Sequence, residues 1–253
     1  MKKIGLLIVV AGVALIIVLA AAFFYLGPIV KAGVEKVGPM VTKVAVKLDG
    51  ANISFLNGSG QLKGFVLANP EGFKTPEAMK VGTIGISVVP KSVLSPKVIV
   101  HSIRIEAPEI TYEAGFGGSN IGKILENIQS VASQEKSGAT NSASKGLQVD
   151  DFLITGGKIN VSATVLGGKS ITLALPEIRL SNLGQSPQGI TAAELSSKAF
   201  GAVVEAAAKA VAANAANLAK PVMDAAQNLG GEGKDRLKKI GSGVSDLLKA
   251  KKQ

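Results

Sequence analysis

Residues 97–113 read KVIVHSIRIEAPEITYE, and the alternation of Ile99, His101, Ile103 and Ile105 is that of a strand with one apolar face. Pro108 interrupts the run, and Glu109 to Glu113 resumes it. The same period extends back to Thr42. Val44, Val46 and Leu48 alternate with Lys43, Ala45 and Lys47, and Ala51, Ile53 and Phe55 follow Asp49-Gly50, which reads as a hairpin turn. Further runs cover Leu62 to Leu67 and Val81 to Val89, most of them bounded by Gly, Pro or Asn, as in an antiparallel meander. A second block, Leu147 to Leu183, predicts strands at Val149–Thr155, Lys158–Val165 and Ser170–Leu180. The expected class is α+β, mainly antiparallel β, with a curved groove-like or sandwich-like sheet.

Helical signals flank the sheet. Ser119 or Asn120 can cap a helix in which Ile121, Ile124, Leu125, Ile128 and Val131 share one face. Ser133 to Lys145 then reads as a Ser/Gly/Ala-rich loop. Thr191 and Glu194 form a capping-box signature that opens an alanine-rich helix expected to reach Lys220, before Pro221. Alanine buries little area, so this helix is expected to add little to the core. A basic amphipathic stretch around Leu237, Ile240, Val244 and Leu247 ends the chain.

At the other end, only Lys2 and Lys3 carry charge before an uncharged run from Ile4 to Val30. As a helix, its 23 residues from Ile4 to Leu26 would be about 35 Å long against a hydrocarbon core of about 30 Å. A cleaved signal peptide ending at Ala20-Ala21-Ala22 competes with an uncleaved anchor. The length of the run and the interfacial Phe23, Phe24 and Tyr25 favour the anchor, with Gly27-Pro28 expected to break the helix just outside. The two leading lysines place the N-terminus inside and the body outside. The parts expected are therefore an anchor (1–30), a β-rich domain (31–185) with an inserted helix near 119–133, and a helical basic tail (186–253).

Composition narrows the chemistry. There is no cysteine, which removes thiolate catalysis and thiolate-ligated zinc and favours a bacterial envelope protein over a disulfide-stapled secreted domain. The net charge of +10 is spread over scattered lysines, and without Trp little is available to stack on bases, so nucleic acid is not an expected partner. Anionic lipid headgroups account for the same charge, as does simple solubility. Gly117, Gly122 and Lys123 mimic a phosphate-binding loop, but Ile124 stands where a hydroxyl must hold magnesium. His101 is the only histidine, so no His-based triad or multi-histidine metal site is available elsewhere. Asp150 and Asp151 are neighbours on one strand and point to opposite faces, and Glu71, Glu106, Glu109 and Glu113 show no shared site. No enzyme, metal or cofactor is expected.

A set of local motifs carries a resemblance. A strand ends in Asn69-Pro70-Glu71-Gly72-Phe73, Pro90-x-Ser92-x-Leu94 makes a turn, and Pro108-x-Ile110 enters a segment reaching Glu113. Ser119-Asn120-Ile121 then opens a helix with Asn127-Ile128. With the N-terminal apolar run, this resembles the AsmA-like family of bacterial envelope proteins over about residues 1–130, and over 147–183 by strand pattern only. The motif residues read as architecture: Pro70 ends the strand, Gly72 permits the turn, and Phe73 folds back as an apolar plug.

The resemblance implies a curved sheet with an apolar groove, and phospholipid handling or outer-membrane assembly at the bacterial inner membrane, with a single pass and the body in the periplasm. Ile53, Phe55, Phe65, Leu67, Ile84, Ile86, Ile103 and Ile105 would line that groove or a closed core, since period two demands one apolar face either way. Eight to ten strands about 4.8 Å apart would make a groove of roughly 40–50 Å. Spanning an envelope then requires a homo-oligomer or an envelope protein partner. The alternatives are a stress-protective membrane-surface protein and a scaffold acting through the alanine-rich tail.

Overall fold

The computed structural model describes residues 26–115, 118–137, 145–163 and 170–214. Helix α1 (residues 26–42) leads into β1 (Val46–Lys47), β2 (Gly50–Ser54), β3 (Ser59–Ala68) and β4 (Glu77–Val88). A 3-10 turn (Pro90–Leu94) precedes β5 (Lys97–Glu106), β6 (Glu109–Gly115) and β7 (Gly118–Ser119). Helix α2 (Asn120–Lys136) follows, then β8 (Gly146–Thr155), β9 (Lys158–Ala163), β10 (Ser170–Ala174), β11 (Ile178–Leu183) and helix α3 (Ala192–Ala213). All eleven strand segments belong to one mixed, mostly antiparallel sheet.

The register joins ten of these segments into six long strands, β7 being a two-residue return beside β6. Glu106 faces Thr83 and Glu109 faces Lys80, three steps on each strand, so pairing crosses Ala107-Pro108 without a slip. β5 and β6 are thus one bent strand. The same holds for β8–β9, where Glu106 faces Thr155 and Glu109 faces Lys158. It holds again for β10–β11 along β8–β9, and for β1–β2 along β3. Sequence neighbours lie side by side throughout. Only β5–β6 and β8–β9 run parallel, and α2 makes the crossover that parallel neighbours require.

The bends line up across the sheet. They fall at Leu48-Asp49, Gly64, Gly82, Ala107-Pro108, Gly156-Gly157 and Leu175-Pro176, and Gly64, Ala107 and Gly156 have φ of +62°, +49° and +66°. Hydrogen bonds continue through the crease: Asp49 N–H donates to Lys63 C=O (2.9 Å), Ala107 N–H to Thr155 C=O (2.8 Å) and Leu175 N–H to Gly157 C=O (2.9 Å). On every strand the inward position advances by three across it and not by two. The pairs are Leu48 and Ala51, Leu62 and Phe65, Val81 and Ile84, Ile105 and Pro108, Ile154 and Gly157, and Leu175 and Ile178. That slip keeps the apolar residues of both halves in one core.

Helices cover this core. Ile121, Ile124 and Ile128 of α2 are completely or almost completely buried, and the Ser119 hydroxyl accepts from Gly122 N–H at its start. α3 opens on the expected Thr191/Glu194 capping box and is capped by Asn214, and the stretch expected to carry the helix on to Lys220 lies outside the described residues. It lies against α2 and the sheet with Ala193, Val203, Ala207 and Ala210 buried. The expectation that an alanine-rich helix would contribute little is therefore corrected: small side chains let it pack close, and no break in packing separates the β-rich part from it.

Three other expectations change. Asp49-Gly50 is not a hairpin turn but a bend inside the edge strand; the turn is Phe55-Leu56-Asn57-Gly58, where Gly58 takes φ +63°. Ser170–Leu180 is interrupted at Leu175 to Glu177. Gly27-Pro28 lies inside α1, where a Cβ on residue 27 would collide with the Ala51 carbonyl oxygen. Among the described residues no helix is long and apolar enough to cross a membrane, and the run expected to do so lies outside them except for Leu26.

α1 guards the edge of the sheet. β1–β2 pairs only with β3, and at its bend Leu48 N–H donates to Glu35 Oε1 (3.0 Å) while Lys31 Nζ donates to Leu48 C=O. Lys31 and Glu35 themselves pair at 3.0 Å, so two side chains stand in for a missing strand. The Leu48 N–H, and then Lys31, hold the Glu35 carboxyl below its usual range. Its contribution is therefore present above the unfolded-state value and lost as pH falls through the lowered one. Glu35→Gln should speed amide exchange at Leu48 while leaving global stability almost unchanged. Unaltered protection at Leu48 would show that the edge is held by something else.

Candidate functional site

The sheet's register sorts the eight apolar candidates into rows. Nearest the crease, Ala51, Leu62, Ile84, Ile105, Ile154 and Ile178 pair in succession, and most of this row is buried, Ile84 being 9 % exposed. Two residues further out, Ile53, Gly60, Ile86, Ile103, Phe152 and Leu180 form a second row. Here Ile53, Ile86, Ile103 and Leu180 are only half-buried. Beyond the crease, Leu67 is buried and Phe65 half-buried. Phe55 is corrected outright: at 50 % exposure it sits in the β2–β3 turn and lines neither groove nor core.

The edge of the half-covered row, Ile53 and Gly60, lines a cleft. About 690 Å³ lies between the start of α1 and the β2–β3 hairpin, bounded by Gly27, Pro28, Ala51, Ile53 and Gly60 with Asn52 and Gln61 beside them. That volume falls within the range of about 300–1,000 Å³ typical of ligand sites. Among the described residues its lining offers amide and hydroxyl groups and no charge. These residues can shelter apolar matter and hydrogen-bond a neutral polar group.

On the opposite face the sheet is charged. Asp151 is gripped by Arg104 (Nη2 to Oδ2, 2.6 Å) and Arg179 (Nε to Oδ1, 3.2 Å), and these hold its carboxyl below its usual range, Arg104 most strongly. Asp150 accepts from Gln148 (2.8 Å) and meets His101 Nδ1 at 3.2 Å, with Gln148 the main cause of its lowered pKa. His101 is therefore not on the isoleucine face, as alternation suggested. The pairing skips it between Ser102–Ser87 and Val100–Val88, and this bulge leaves the ring exposed. Exposed pairs of this kind contribute little stability. Among the described residues no three His, Cys, Asp or Glu side chains converge as metal ligands.

The strand-end motif is locked by a buried ring that sequence reasoning missed. Asn120 Oδ1 accepts from Glu113 N–H (2.8 Å), and Asn120 Nδ2 donates to Asn69 Oδ1 (2.8 Å) and Thr111 C=O (2.8 Å). Asn69 Nδ2 donates to the Thr75 hydroxyl (2.5 Å), which donates to Glu113 Oε2 (2.7 Å). Lys74 and Thr75 N–H add bonds of 2.7 and 2.9 Å to the Glu113 carboxylate. Pro70 follows Asn69 and Gly72 takes φ +91°, but Phe73 is only half-buried and does not join the core, so the expected plug is absent. Ser92 of the Pro-x-Ser-x-Leu turn is buried, donating to Val89 C=O and accepting from Ile99 N–H.

No known protein-family model matches this sequence, and no curated protein matches it.

Proposed function

We propose that this chain is a non-enzymatic, membrane-anchored protein of the bacterial envelope that handles phospholipid acyl chains on the half-covered row of its sheet. The observation that carries this reading is the position of that row: Ile53, Ile86 and Ile103 lie half-buried on neighbouring strands, and its edge member Ile53 lines an open cleft beside α1. α1 in turn follows directly on the uncharged run Ile4 to Tyr25. A lipid leaving a bilayer beside that run would meet apolar surface at once.

The register also revises the expected size. Six strands about 4.8 Å apart span roughly 24 Å, not 40–50 Å. One leaflet contributes about half of a 30 Å hydrocarbon core, so this width suits one acyl chain and no more than a pair. Transport over a longer path would need further copies or an envelope partner.

The test uses full-length protein extracted in mild detergent and analysed by native mass spectrometry. Phospholipid should co-purify with the parent protein. Ile103→Asp should abolish it while circular dichroism keeps the native spectrum, because a charge in a half-open row stays hydrated. Ile84→Asp, in the buried row, should unfold the domain. A lipid-free parent, or lipid retained by folded Ile103→Asp, would sink the proposal.

A further inference from the structure

The large apolar side chains most exposed among the described residues are Leu56 and Leu94, at 87 % and 83 %. They lie far apart in sequence yet project from adjoining loops. Val88 N–H donates to Gly58 C=O (2.7 Å), and a Cβ on Gly58 would touch the Pro90 ring, so the β2–β3 turn rests on the 3-10 turn that bears Leu94. Phe55, half exposed, stands beside Leu56. α1 begins close by, with Gly27 against Ala51 of the same hairpin.

The loops at this end are basic, and the nearest carboxylates are engaged beside them: Asp150 with Gln148 and Gln185, and Glu194 with Lys136. The described segments that build this end, residues 54–59, 88–97, 145–147 and 184–190, contain Lys91, Lys97 and Lys145 and no Asp or Glu. Lys97 Nζ is held by Gln148 Oε1 (2.9 Å) and Ser186 C=O (3.1 Å), and Lys145 Nζ by Val93 C=O, all uncharged acceptors. The opposite end, by contrast, carries Glu71 and Glu77 in the loop after β3 and the start of β4. Protruding leucines and a phenylalanine on loops that carry lysines and no Asp or Glu of their own match a bilayer surface: apolar tips enter the interface while ammonium groups meet anionic headgroups. On the anchored reading proposed above, the uncharged run that precedes α1 would tether the chain at this end.

We infer that the β2–β3 turn and the Pro90–Leu94 turn form a membrane-docking rim, inserting Phe55, Leu56 and Leu94 into an anionic bilayer so that the cleft between α1 and the hairpin faces the lipid surface. This rests on the anchoring part of the proposed function and not on lipid carriage. The docked orientation makes the cleft a mouth and places the Asn69-Pro70 turn away from the membrane.

The chain has no cysteine, so single probes can be placed without background. Full-length Leu56→Cys, Leu94→Cys and Glu71→Cys variants, each labelled with an environment-sensitive fluorophore, are reconstituted in phosphatidylcholine vesicles with and without phosphatidylglycerol. Probes at 56 and 94 should shift to the blue and be quenched by spin-labelled lipid, more strongly with phosphatidylglycerol present, while the probe at 71 stays aqueous. Aqueous emission at 56 and 94 in protein that floats with the vesicles overturns the rim and leaves the anchor standing. Protein that does not float overturns both. Retained co-purified lipid alongside aqueous probes would separate failure of the rim from failure of the lipid reading.

Discussion

Asn120→Ala should lower folding stability by about 3–4 kcal/mol, read by urea denaturation at neutral pH. Asn120 is fully buried, and its loss strands Glu113 N–H, Thr111 C=O and Asn69 Oδ1 together. Asn120→Asp separates chemistry from packing. It fills the same volume, but the replaced Nδ2 faces two acceptors, so the variant should be nearly as unstable as the alanine. Acid adds a second reading of the same ring. Burial pushes the Glu113 carboxyl up, but bonds from Lys74 N–H, the Thr75 hydroxyl and Thr75 N–H outweigh it and hold the group below its usual range. A lowered folded-state pKa means stability that is present above the unfolded-state value and lost as pH falls through the lowered one. Thr75→Val removes one of those bonds, so its acid-unfolding midpoint should move to higher pH. An unchanged midpoint would show that the ring does not set the acid limit.

The strand runs and helix caps were legible because they rest on local chemistry. Lys97 to Glu106 and Glu109 to Glu113 match β5 and almost all of β6, and Thr191 and Glu194 cap α3 as their spacing demands. What alternation concealed was continuity. Pro108 and Gly156-Gly157 read as strand ends, whereas each marks a bend in a strand that goes on. The signal was present in the apolar spacing, which steps by three at Leu48 to Ala51, Val81 to Ile84 and Leu175 to Ile178. α1 was hidden in a similar way. Val30, Val34 and Val41 at helical spacing, with Lys31 and Glu35 four apart, sat behind a Gly-Pro pair taken for a break. The candidate site was less legible still. Period two says which side chains share a face, but the difference in burial between Ile84 and Ile103 depends on what lies above them, which alternation does not encode.

Gly64→Val should cost about 3 kcal/mol or more, because two penalties coincide at one position of the crease. Residue 64 has φ +62°, where an L side chain meets its own backbone and a β-branched one does so worst. A Cβ there would also run into the Asp49 side chain on the edge strand. Gly156→Val shares the first penalty, with φ +66°, but its nearest neighbour would be 3.8 Å away, so a smaller loss is expected. Gly82, on the same line but without a positive φ and with nothing within 4 Å, should accept alanine within about 0.5–1 kcal/mol. Ala107 already occupies the left-handed region at φ +49°. Ala107→Gly relieves that strain and loosens the unfolded chain, leaving it within about 1 kcal/mol of the parent. The four variants rank the crease by backbone conformation and not by burial, since Gly64 and Gly82 oppose one another in the β3–β4 register. Equal tolerance at positions 64 and 82 would mean that the bend follows from the helices packed on the sheet. A loss confined to the positive-φ sites would mean that the strands carry the bend themselves, and with it the phase slip that turns both halves of the sheet toward one core.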